Sequence, residues 1–238
     1  GMVLMVPMGE SGVRVPDFVT TRNARPNAKT SAIVKWDDSA LTVTFDCTDT
    51  NILATHTQRD DADMWKDDCV EVFLDIGHTH DDSDQPWQHI MVSASGGFYD
   101  ARSGDALFSQ YTGEDRPYQV QGLKTRVERI SHGWRATLVI PWTGIGRKPR
   151  AGDVWGFNLN RENHPEEENL CWSPTHSGFL SFHEWGHIVF APPGRTITGE
   201  DALTAIARRH EEMPQITKAR VRRLSGRIAK WARNPLDP

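Results

Sequence analysis

From about residue 31 to residue 190, polar and apolar positions alternate with a period of two. The runs are rich in β-branched and aromatic residues and bounded by Gly, Asp, Asn or Pro. Successive side chains of a strand point to opposite faces, so this alternation predicts strands with one face buried. The predicted strands are Ala32–Trp36, Leu41–Asp46, Cys69–Asp75, Gln88–Ser93, Gly97–Ala101, Tyr118–Ile130, Trp134–Ile140, Val154–Asn160, Leu170–Ser173 and His187–Phe190. Asp37-Asp38 and His132-Gly133 stand where hairpin turns belong. Short strands punctuated in this way predict an all-β fold, an antiparallel β-sandwich. The polar, acidic segments His78–Gln85 and His164–Asn169 read as exposed loops, and there is no internal repeat.

Beyond Pro192-Pro193 the period becomes helical. Thr198 is the expected N-cap with Asp201 three residues on, followed by Leu203, Ile206 and His210 along one face. A second helix is expected from Pro214, with Ile216, Leu224, Ile228 and Trp231 as its apolar stripe. The chain thus divides into an irregular N-terminal segment (1–27), a β-sandwich (28–193) and a short C-terminal α-helical extension (194–238).

Charge separates these parts further. Residues 199–238 carry nine Lys/Arg against five Asp/Glu, whereas residues 1–198 carry 18 against 27. An acidic body is the wrong surface for phosphate, so no nucleic acid is expected as partner. The basic helices read either as a solvated face packed on the sandwich or as a docking surface for an acidic protein partner or headgroups. Cys47, Cys69 and Cys171 form no C-x-x-C pair and are odd in number, which points to buried reduced thiols. Residues 2–8 are apolar but too short for a signal-peptide core, and no stretch reaches the length of a membrane span. If Met2 is the natural start, a cytoplasmic chain is expected.

The most informative segment is Thr57–Asp75, TQRDDADMWKDDCVEVFLD. It is followed in order by Gln88–Asp100 (QHIMVSASGGFYD), Trp134–Trp142 (WRATLVIPW), Gly152–Arg161 (GDVWGFNLNR), Cys171–Pro174 and Trp185–Phe190 (WGHIVF). Together these blocks resemble the family 9 carbohydrate-binding modules over about residues 30–190. The resemblance implies a jelly-roll-like sandwich that binds a mono- or oligosaccharide and catalyses nothing.

A sugar offers apolar C–H faces and a rim of hydroxyls, so an aromatic platform with polar side chains beside it can hold one. Trp65 precedes a strand within a polar segment (Asp60, Asp61, Asp63, Lys66, Asp67, Asp68) that should keep it near solvent. It is either a stacking platform or a cap on the sandwich edge. Glu71 lies on the strand face opposite Val70 and Val72; it accepts sugar hydroxyls by the resemblance, or pairs with Arg59 or Arg161. The resemblance places a cationic contact at the position of Met91, which is apolar here, leaving His89 on the same face as a substitute. Phe179, with Phe182 as alternative, aligns with a second aromatic wall. Asn158 and Asn160 share a face, with Arg161 at the strand end, and any of the three can reach a hydroxyl. The expected saccharide site is therefore Trp65 and Phe179 as walls, with Glu71, Arg59, His89, Asn160 and Arg161 as polar partners.

Other classes are weaker. His176, His183 and His187 with Glu184 match no helix-borne H-E-x-x-H. No G-x-S-x-G or phosphate loop occurs, and two acids for glycoside cleavage could be drawn from any of the 32 Asp/Glu. No cofactor is required, though the oxygen-rich loops at Asp60–Asp63 and Asp81–Asp84 can carry a structural calcium ion. The alternative function is a protein-interaction module on the same sandwich, its sugar site lost and its basic tail docking a partner.

Overall fold

The computed structural model describes residues 2–61, 63–78, 87–103, 118–164, 166–176 and 178–194. It also describes the backbone of 114–115 and, further on, 198, 200–201, 203–208 and 211. The strands are β1 (Val3–Pro7), β2 (Val13–Val15), β3 (Val19–Thr20), β4 (Thr30–Trp36), β5 (Ala40–Thr48), β6 (Cys69–Asp75) and β7 (Gln88–Ser93). They continue as β8 (Phe98–Ser103), β9 (Glu114–Asp115), β10 (Lys124–Ile130), β11 (Gly133–Pro141), β12 (Val154–Asn163), β13 (Glu168–Cys171) and β14 (Gly186–Ala191). One sheet runs β1-β14-β12-β6-β7-β8-β9, with β13 on β12 and β3 on β13; the other runs β10-β11-β5-β4-β2. The sandwich predicted from the alternation is the observed fold.

The core between the sheets follows from the strand parity. Val70, Val72 and Leu74 of β6 face inward with Ile90 and Val92 of β7 and Phe157 and Leu159 of β12, meeting Val43, Phe45, Trp134 and Leu138 of the smaller sheet. Trp36, Trp142 and Trp155 close one end of this core around Phe190, ring against ring at 4.8–6.0 Å. Trp134, Trp142, Trp155 and Trp172 are all buried, as their apolar neighbours predict. The three cysteines are free and buried. The hairpin at Gly133 needs glycine, because its φ is +153° and a Cβ there would stand 2.0 Å from the Cys47 carbonyl oxygen.

Two expectations are corrected. The N-terminal segment is not irregular: β1 pairs in parallel with β14, burying Leu4 and Val6, and β2 pairs with β4. The strand predicted over Tyr118–Ile130 begins only at Lys124, because the backbone turns at Val120–Leu123 with Gly122 at φ +76°. In the C-terminal part the Thr198 Oγ1 accepts the Asp201 N–H while the Asp201 carboxylate accepts the Thr198 N–H, a reciprocal cap on the helical residues that follow. The helix expected from Pro214 lies outside the described residues. No helix among the described residues is long and apolar enough to cross a membrane.

Candidate functional site

β6 is buried along its whole length, which its sequence explains only on one side. Val70, Val72 and Leu74 belong to the sandwich core; Cys69, Glu71, Phe73 and Asp75 point the other way, out of the sandwich. Register places Cys171, Asn160, Glu71, Met91 and Tyr99 in one row across that outward face. Asn158, Phe73, His89 and Ala101 form the next row on one side, and Glu162, Cys69 and Ser93 the next on the other.

Apolar clusters close both ends of this face. At the Cys69 end a one-turn 3₁₀ helix, Met64–Lys66, drops Met64 onto Cys69, Met91, Tyr99 and Ala101. Anchoring Met64 turns the next residue outward, and Trp65 is 48% exposed, the one exposed large aromatic among the described residues. His164, two residues beyond Glu162, hydrogen-bonds the Trp65 carbonyl through Nε2, its ring 6.1 Å from the indole. At the other end Phe73, Trp87 and Trp185 pack together with Phe179, Leu180 and Phe182 against them. The Trp185 Nε1–H donates to the Phe179 carbonyl at 2.7 Å and fixes that loop. Trp65 and Phe179 therefore stand at opposite ends of the face, separated by the Asn160–Glu71 row. Cys69 and Phe73 mark those ends, four residues or about 13 Å apart along the strand.

Asp67 sets the loop that carries Trp65. Its carboxylate accepts from the Thr55 and His56 backbone N–H groups, the Thr55 and Ser93 hydroxyls and His56 Nδ1, at 2.7–2.9 Å. Burial alone would raise its pKa, but these bonds, the His56 backbone N–H foremost, hold it at about 2. Asp68 beside it is pushed up to about 6 by burial. Both are 0% exposed, so they are not part of a solvated stretch around Trp65 as expected from their polarity.

Glu71 is paired, but with neither arginine. Its Oε2 lies 2.7 Å from His89 Nε2, both side chains buried. The His89 ring stacks on Phe73 at 4.2 Å and meets Tyr99 edge-on at 5.4 Å. Asn160, directly opposite Glu71, is 0% exposed, and neither Oδ1 nor Nδ2 has a hydrogen-bond partner among the described residues. Asn158 differs, since its amide bonds the Ser173 backbone in both directions and holds β12 against the following segment.

Arg161 and Arg59, both expected at the site, point elsewhere. Arg161 sits opposite Val70 on the inward face. It is 0% exposed between the sheets, donating to Thr30 Oγ1, the Thr48 carbonyl, Asn163 Oδ1 and Asp49 Oδ2 at 2.9–3.2 Å. Arg59 reaches Asp100 at 2.5 Å and lies over the Phe98 ring. Asp100 belongs to the inward row with Val72 and Ile90, so this pair anchors the loop rather than facing Glu71. Glu162 is the residue the sequence reading missed. It extends the Asn158, Asn160 parity by one step, and burial with the Glu71 charge pushes its pKa well above the usual carboxylate range.

The histidines considered for metal do not converge. His176 pairs with Glu184 at 3.0 Å and His187 with His78 at 2.6 Å. Among the described residues no group of three or more His, Cys, Asp or Glu could hold a metal ion. The Asp81–Asp84 loop lies outside the described residues.

Among solved structures, family 9 carbohydrate-binding modules from Caldicellulosiruptor kristjanssonii share the fold. One in complex with glucose is 16% identical with a TM-score of 0.58, covering 82% of this chain and 99% of its own. One in complex with cellotriose is 16% identical with a TM-score of 0.57, covering 83% and 96%. A Bacteroides uniformis protein provisionally described as carbohydrate-binding is 15% identical with a TM-score of 0.62, covering 80% and 99%. Comparison with curated proteins gives no significant match. Residues 11–190, most of the sandwich with both sheets and the outward face, match the carbohydrate family 9 binding domain-like family, and the chain belongs to it.

Proposed function

We propose that the outward face of the larger sheet binds a saccharide and that no bond is made or broken there. The observation that carries this reading is Trp65, held 48% exposed at one end of a face whose middle row contains a buried amide with no partner among the described residues. An exposed indole loses little by shedding water onto the C–H face of a pyranose. Phe179, at the other end, supplies the second wall. Asn160 and the Glu71–His89 pair between them offer one amide, one carboxylate and one imidazole to hydroxyls, the amide gaining bonds it lacks in the free protein. Glucose and cellotriose in the two Caldicellulosiruptor modules make mono- and oligosaccharides of that kind the first ligands to try.

Calorimetric titration with glucose and cellotriose, with and without calcium, tests this. The expected affinity is micromolar to millimolar, since a few contacts must offset ordering and desolvation. Trp65→Ala should weaken binding at least about tenfold, as a lost stacking contact does, with the thermal midpoint unchanged. Absence of any saccharide binding, or binding indifferent to Trp65→Ala, overturns the reading.

A further inference from the structure

The middle of the outward face carries more acid than base. From Cys69 to Phe73 it presents, among the described residues, two carboxylates, Glu71 and Glu162, and within it the His89 imidazole is the one described group that can be cationic. Met91, between His89 and the Trp65 end, is apolar. His89 is committed to Glu71 at 2.7 Å. Among the described residues Glu162 accepts no hydrogen bond, and its contact with a basic nitrogen is His164 Nε2 at 3.9 Å, already on the Trp65 carbonyl. Between the two acids lies Asn160, wholly buried with both amide atoms unbonded. A native protein rarely leaves a buried amide and a largely buried carboxylate unanswered side by side.

We propose that the saccharide this face takes carries a free, protonated amine, and that Glu162, Glu71 and the Asn160 Oδ1 receive the ammonium. This rests on the saccharide reading above and narrows it from sugars in general to amino sugars. An ammonium matches these acceptors in three ways. It brings one positive charge to two carboxylates that repel one another, and it donates in three directions to three acceptors on neighbouring positions. The acceptors also sit on strands rather than loops, which fixes their positions before binding. A calcium ion fits less well: it needs six to eight oxygen ligands, and this cluster offers two carboxylates and one amide oxygen beside an imidazole. The Asn160 Nδ2–H remains available to a ring hydroxyl, so one side chain reads both the amine and its neighbour.

The test is calorimetric titration of the full chain at neutral pH with glucose, glucosamine and N-acetylglucosamine. The acetylated sugar keeps the nitrogen and removes the charge. Glucosamine should bind at least about tenfold more tightly than either, the scale of one charge-assisted contact. Glu162→Gln should narrow the glucosamine-to-glucose ratio to below about twofold, with circular dichroism confirming the fold. Equal affinity for the three sugars, with all three weakened by Trp65→Ala, overturns the amine assignment and leaves the saccharide reading standing. A glucosamine advantage that survives in Glu162→Gln overturns the placement of the ammonium. If no sugar binds, both readings fall together.

Discussion

Asn160 and Arg161 are consecutive residues of β12, both polar and both completely buried, yet their surroundings are opposite. Arg161 points between the sheets, and its two terminal nitrogens are bonded to three side chains and a carbonyl, the Asp49 carboxylate at 2.9 Å among them, while its Nε has no partner among the described residues. Asn160 points out of the sandwich, and neither atom of its amide is bonded among the described residues. Folding stability explains the first arrangement: a cation enclosed between sheets persists only with a partner and further bonds. It does not explain the second, because an unbonded amide costs stability and gives nothing back within the free protein. The two faces of one strand thus differ: the inward one holds a cation paired with a carboxylate, the outward one an amide with neither atom bonded among the described residues.

The sharpest way to break this contrast is to remove the satisfied partner. Arg161→Met should lower stability by roughly 3–5 kcal/mol, since it strands the buried Asp49 carboxylate. Urea titration followed by tryptophan fluorescence measures it. A companion Asp49→Leu change should restore part of the loss, because replacing both members with apolar groups removes the stranded charge. Saccharide affinity in whatever fraction remains folded should be unaffected. A specific loss of affinity in Arg161→Met would put this residue back in the site.

Strand parity made most of this legible in advance. Cys69–Asp75 and Gln88–Ser93 form strands with the residues predicted, and Glu71, His89 and Asn160 fall on one face as their spacing requires. Parity also shows why Arg161 was misplaced. Taken as a strand end it could swing either way, but β12 runs on to Asn163 and commits it inward. The same extension, three residues beyond the predicted end, brings Glu162 onto the outward face. What parity could not supply is register between distant segments. The Glu71–His89 and Arg59–Asp100 pairs join residues 18 and 41 apart in sequence, and no local pattern indicates which acid meets which base. The N-terminal strands were hidden for a related reason, since β1 takes its ladder partner from β14, more than 180 positions away.

Removing the unsatisfied partner should do the reverse of the Arg161 change. Asn160→Leu keeps the approximate volume and deletes both unbonded polar atoms, so the folded state should gain about 1 kcal/mol. That corresponds to a rise of roughly 2–4 °C in thermal midpoint for a chain of this size. Saccharide binding should be lost in the same variant. Gain of stability with loss of binding is the signature of a residue kept for its ligand. A destabilised Asn160→Leu protein would instead mean that the amide supports the fold.

The smallest effect concerns Glu162 and tests whether the outward face holds its acids under strain. Burial and the Glu71 carboxylate raise the Glu162 pKa in the folded protein, with Cys69 beside it on β6, His89 beyond Glu71 on β7, His164 at 3.9 Å, and Cys171 and Tyr99 in the Asn160 row as further titratable groups on that side among the described residues. A carboxyl whose folded pKa exceeds its unfolded one binds its proton more tightly when folded. Its contribution to stability is complete below the unfolded value near 4.3 and is lost as pH rises through the raised folded value. Glutamine cannot ionise, so Glu162→Gln should change stability little at pH 4 and raise the thermal midpoint progressively from about pH 5 toward pH 8, the range over which a glutamate with a raised pKa gives up its proton. Thermal melts of both proteins across that range decide it. A difference that is flat with pH would mean that Glu162 is ionised and at ease in the free protein, and the pressure for a cationic partner would then rest on Glu71 and Asn160 alone.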